Sequence, residues 1–164
     1  MEHVRTYEVD QEIPPLCKHM KQERITLFEQ SGGYMVPTIH TDVEASKKIT
    51  GLDVPMASGR MSLSFATECL RRFFGEDVYN RSGVVDLRFV RPVRDGDTVT
   101  VGGKILSVVQ EPNGRRVTIE LSIKKSERRY DRRGTRFCRC PVRLFPAGIT
   151  PTAGSLAPCR ETCR

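Results

Sequence analysis

The stretch PMASGRMSLSFATECLRRFFGED (residues 55–77) decides how this 164-residue chain folds. Gly59 to Phe74 has the length of a helix, with Ser58 placed to cap its start and Gly75 to stop it. Met61, Phe65 and Cys69 fall on one line of that helix, and Leu63, Ala66, Leu70 and Phe73 fill the neighbouring face. Its polar positions Ser62, Ser64 and Thr67 are few and small, so the helix is predicted to be largely buried. Arg71 and Arg72 suit the negative end of its dipole.

Downstream the pattern changes to period two. Val85, Leu87 and Phe89 alternate with Asp86 and Arg88. Val99, Val101 and Ile105 recur after the turn Arg94-Asp95-Gly96-Asp97. Val117, Ile119, Leu121 and Ile123 alternate with polar residues. Cys138, Cys140, Val142 and Leu144 share one face. Asn113-Gly114 marks a hairpin, because both positions tolerate positive φ, and residues 131–134 read as the next turn. These runs predict an antiparallel meander of about four strands. Upstream, ERITLFEQ (residues 23–30) suits a short amphipathic helix through Ile25, Leu27 and Phe28, stopped by Ser31-Gly32-Gly33. Thr41 or Asp42 caps a second short helix that ends near Gly51. One buried helix followed by a meander is an α+β layout, a curved antiparallel sheet wrapped on a long central helix. Residues 1–145 form the predicted domain. Residues 146–164, rich in proline, glycine and small side chains, read as a disordered tail.

Composition narrows the function classes. With 38% apolar and 29% charged residues the chain reads as globular. No apolar run approaches the roughly 20 residues that span a bilayer, and the polar start lacks the apolar core of a secretion signal. The reading is cytoplasmic, with reduced thiols. The six cysteines contain no CxxC pair, and Cys138-x-Cys140 is too tight for a zinc knuckle. No metal or dinucleotide motif occurs. The net charge of +7 is concentrated between Lys124 and Arg143, where nine basic residues face two acids. Such a cluster can attract nucleic acid or a polyphosphate. Only Tyr130 and Phe137 interleave with it, too few for a base-stacking platform, so it reads as a solvated hairpin end.

Four stretches resemble the MaoC-like acyl dehydratases, a hotdog-fold family that includes the R-specific enoyl-CoA hydratases. ERITLFEQSGG resembles the helix leading into the family's hydratase motif. SGGYMVPTIHTDVEAS is similar to the motif S-G-D-x-N-P-x-H-x-D…A. GLDVPMASGRMSLSF is similar to the G…P-x-A-[HS]-G start of the central helix. VVDLRFVRPVRDGDTVTVGGKI is similar to the R-F-x-x-P-V-x-x-G-D-T strand pair. The resemblance implies a single hotdog domain working as a homodimer in fatty acid metabolism. It implies reversible addition of water to enoyl thioesters of coenzyme A or acyl carrier protein, with coenzyme A present only as part of the substrate. His40 corresponds to the motif base, and the Gly59 amide at the helix start to the group that polarises the thioester carbonyl. Tyr34, Pro37, Ser58, Arg60 and Ser62 fall where substrate binds. Arg60, Arg88, Arg91 and Arg94 are candidates for the coenzyme A phosphates, each also reading as a surface residue. His3 and His19 have no such context.

The chain departs from the motif between Ser31 and His40. Counted from Ser31-Gly32, the family's aspartate falls on Gly33; counted back from His40, it falls on Met35. Two extra residues lie between Tyr34 and His40. The second catalytic group is then Asp42, which also reads as a helix cap, or Asp53 or Asp86. Otherwise His40 works alone near Tyr34, or the chain is a thioester-binding protein or thioesterase that has lost hydration.

Overall fold

Among the described residues, five antiparallel strands, β1 (Glu12–His19), β2 (Gly83–Val84), β3 (Thr98–Glu111), β4 (Gly114–Ser126) and β5 (Cys140–Leu144), form one sheet in the order β1-β3-β4-β5-β2. The structure, a computed structural model, describes residues 6–112, 114–126 and 140–144. The centre of the sheet is the hairpin of β3 (Thr98–Glu111) and β4 (Gly114–Ser126), paired from Thr98↔Ser126 to Glu111↔Gly114 as the Asn113-Gly114 signal predicts. Its inward residues Val99, Val101, Ile105, Ile119 and Leu121 are fully buried. Each such side chain contributes about 1.5–3 kcal/mol through removal from water. β5 (Cys140–Leu144) pairs with β4. The predicted turn at residues 131–134, most of the basic cluster, Cys138, His3 and the tail from residue 146 lie outside the described residues.

β1 (Glu12–His19) was not foreseen, because Pro14 and Pro15 interrupt its alternation. Proline cannot donate to a ladder, so β1 sits at the sheet edge, and its pairing with β3 slips between Ile13 and Leu16. The reverse error occurs at the other edge. The alternating run from Val85 to Phe89 is not a strand: β2 covers only Gly83–Val84, paired with β5. Val85 and Leu87 still pack on the core, while Phe89 and Val90 are about half exposed. Alternation reports which side chains face inward, whereas a strand also needs a neighbour to pair with, and residues 85–90 have none among the described residues.

Two short helices, α1 (Gln22–Ser31) and α2 (Val43–Thr50), follow β1. α3 (Gly59–Phe74) then packs on β1 and β3, with the Cys69 thiol near the carbonyls of Pro14 and Val101. It buries Met61, Ser62, Ala66, Cys69, Leu70 and Phe74. Leu63 is exposed, so one face of the helix meets solvent and burial is less complete than its composition predicts. Gly75 ends α3 at φ 93 and leads directly into α4 (Glu76–Ser82), a helix the sequence reading did not separate.

Candidate active site

His40 occupies a tight turn between α1 and α2. Thr38 and Thr41 build that turn: the Thr41 and Asp42 amides donate to Thr38 O, and the His40 amide donates to the Thr38 hydroxyl. The Gln22 side chain, at the start of α1, donates to His40 O at 2.9 Å. These bonds fix the main chain. The ring is fixed separately, with Nδ1 2.8 Å from the Met56 carbonyl. A carbonyl can only accept, so Nδ1 carries the hydrogen and Nε2 is left with a lone pair. The imidazole is therefore held as the tautomer that can take a proton through Nε2.

Met56 lies just ahead of α3, which brings the ring and the helix start to one place. His40, Ala57, Gly59 and Ser62 line a common cavity of about 410 Å³, closed by Leu87, Phe89 and Val93. The wall is mostly apolar, which strengthens any electrostatic contact inside it. Gly59 and Arg60 are the first residues of α3, and the first amides of a helix have no carbonyl of their own helix to bond. They carry the positive end of its dipole, and no acidic side chain occupies its first turn. A histidine and the Gly59 amide on one apolar cavity can together remove a proton and stabilise a developing oxyanion.

Not every predicted residue joins this cavity. Gly59, Ser62, Arg88 and Arg91 line it with His40, whereas Asp42, Tyr34, Pro37, Ser58, Arg60 and Arg94 do not. Asp42 caps α2, its Oδ1 accepting from the Ala45 amide at 2.7 Å. Asp53, Asp86 and Pro37 are exposed. Tyr34 is also exposed and lies beside Arg60, whose guanidinium is 4.5 Å from the ring centre. Ser58 is in the cap position of α3 but makes no capping bond. Its hydroxyl donates instead to Glu29 Oε1 at 2.5 Å. Phe89 packs closely on Gly59: a Cβ there would stand 2.9 Å from its ring.

Glu29 is the residue that sequence reading missed. It is 1% exposed, and its Oε2 accepts from Arg60 at 2.9 Å. A signal was present: Glu29 is four residues after Ile25, so both lie on one helix face, and Ile25 is fully buried. Leu27, counted on the apolar face, is 65% exposed.

A family profile described as MaoC like domain matches residues 5–126. The chain belongs to the MaoC-like family. Solved structures agree on the fold. The monoamine oxidase regulatory protein from Archaeoglobus fulgius is 25% identical, with a TM-score of 0.63 over 88% of this chain and 92% of that one. The (R)-hydratase from A. caviae involved in PHA biosynthesis is 19% identical, with a TM-score of 0.66 over 87% of this chain and 100% of that one. An unliganded R-hydratase from Pseudomonas aeruginosa is 19% identical, with a TM-score of 0.61 over 94% and 93%. No curated protein matches the chain. The hotdog fold of this MaoC-like protein is thus the expected one. No helix of the described residues is long and apolar enough to cross a membrane.

Proposed function

We propose that this MaoC-like protein is a cytoplasmic hydro-lyase that adds water reversibly to the α,β double bond of an enoyl thioester of coenzyme A or acyl carrier protein. The observation that carries this reading is that His40, held through Nδ1 by the Met56 carbonyl, lines one cavity with Gly59, the first residue of α3. His40 Nε2 takes a proton as the water oxygen bonds to C3. The electron pair of the double bond moves through C2 to the thioester oxygen, where the Gly59 amide region stabilises the enolate. The proton then passes from the imidazolium to C2, and the 3-hydroxyacyl thioester forms with no net proton change. Arg88 and Arg91 on the cavity wall suit the phosphates of a carrier. The resemblance to the family supports a homodimer, which a sedimentation measurement tests.

The deciding experiment is hydration of crotonyl-CoA by the purified protein, followed as loss of enoyl absorbance. His40→Ala is expected to lower kcat about 10²–10⁴-fold, the usual worth of a positioned general base. Hydration at the wild-type rate by that variant overturns the role of His40. A second reading, a thioester-binding protein or thioesterase, is favoured by one observation: among the described residues no aspartate or glutamate lines the cavity with His40. Thioester hydrolysis without a 3-hydroxyacyl product, read by mass spectrometry, would select it.

A further inference from the structure

The chemistry above leaves the buried Glu29 carboxylate without a role. A carboxylate held out of water costs several kcal/mol unless it is paired and hydrogen-bonded. Glu29 is 1% exposed and divides its oxygens between two partners, the Ser58 hydroxyl at 2.5 Å and Arg60 at 2.9 Å. Ser58 is 5% exposed and sits between Ala57 and Gly59, both on the cavity wall. We infer that Glu29 is the positioning residue of this site, holding the Gly59 amide in place through its neighbours Ser58 and Arg60. This inference rests on the hydratase reading.

Three features support it. First, Ser58 and Arg60 flank Gly59 in the chain, and Glu29 holds both. The Ser58 hydroxyl is turned to Glu29, so the main chain that brings the Gly59 amide to the cavity is clamped from behind. Second, the arrangement is balanced in charge. Glu29 brings a negative charge to the start of α3, which has no acid in its own first turn, and Arg60 offsets it. An enolate at the α3 amides is therefore not opposed by an unpaired anion. Third, the turn that follows α1 packs on the same cation. A Cβ on Gly32 would stand 3.4 Å from both terminal nitrogens of Arg60, and Tyr34 packs on the same guanidinium. The Gly32-Gly33-Tyr34 turn, which carries no carboxylate, closes over the cation that anchors Glu29.

The test is steady-state hydration of crotonyl-CoA by wild type, Glu29→Gln, Ser58→Ala and the double variant, with thermal melting of each. Each single variant is expected to lose about 10²-fold in kcat with KM within about twofold. The double variant is expected to be no slower than the slower single one, since both remove one unit. A merely structural Glu29 would lower the melting temperature without that kcat split. Glu29→Gln hydrating within about threefold of wild type, or losses that multiply in the double variant, overturns the inference. Should Glu29→Gln fail to fold, Ser58→Ala decides, because it leaves Glu29 and Arg60 paired; wild-type kcat there is equally fatal. Wild-type protein inactive on every enoyl thioester removes the hydratase reading and this inference together. Active wild type with an indifferent Glu29→Gln removes this inference alone.

Discussion

Glu29 and Asp97 are both buried carboxylates with a basic partner, yet they sit in opposite kinds of surroundings. Asp97 closes the turn before β3: its Oδ2 accepts from the Arg94 amide at 2.9 Å and lies 3.3 Å from Lys125 Nζ. Both side chains of that ion pair are almost wholly buried, at 8% and 6% exposed. Glu29 is equally buried, but Arg60 is 51% exposed and the other partner is a hydroxyl beside the cavity wall. An acid whose contacts are a backbone amide and a buried ammonium holds a turn. An acid that holds the two residues flanking Gly59 bears instead on the cavity. Burial alone does not separate them; the partners do.

The largest expected effect breaks the first of these arrangements. Asp97→Asn leaves a buried ammonium without its carboxylate and is expected to cost about 3 kcal/mol in urea unfolding. Glu29→Gln leaves a cation that water can reach, so its cost should be nearer 1 kcal/mol. Activity is expected to show the opposite order, with Asp97→Asn close to wild type at a temperature where it is folded. Equal stability losses would erase the distinction drawn here.

Asp42 sharpens the comparison at smaller cost. As the cap of α2 it is worth about 1 kcal/mol, so Asp42→Ala should lower stability by that amount and leave kcat within about twofold. A kcat collapse with unchanged stability would return Asp42 to the chemistry. The smallest effect concerns an acid on the surface of α3. The Lys18 ammonium bonded to Glu68 at 2.7 Å holds that carboxyl below its usual value, against a weaker opposing push from burial. Its folded pKa lies below the unfolded one, so the stabilisation is present above the ordinary glutamate range and fades as pH falls through the folded value. Lys18→Met should therefore cost at most about 1 kcal/mol at pH 6 and almost nothing at pH 2, read as urea midpoints.

The central fold was legible because its signals are local. Asn113-Gly114 and the alternation from Val117 to Ile123 define the hairpin, and the residues from Ser58 to Gly75 mark the long helix. The edges were not legible, since Pro14 and Pro15 hid β1 and the alternation from Val85 to Phe89 implied a strand without a partner. The site was half legible. His40 and Gly59 were found through motif resemblance, and the structure places both on one cavity. Glu29 was hidden because its partners are 29 and 31 residues away, and a charged residue within a short helix reads as solvated until its neighbours are known.

The ring of His40 is oriented by main chain, through the carbonyl of residue 56. Every amino acid presents that same oxygen, so drift at position 56 cannot strip the imidazole of its orienting partner by changing side-chain type. The orientation of the imidazole is thus set by the path of the backbone and not by the identity of a neighbouring side chain.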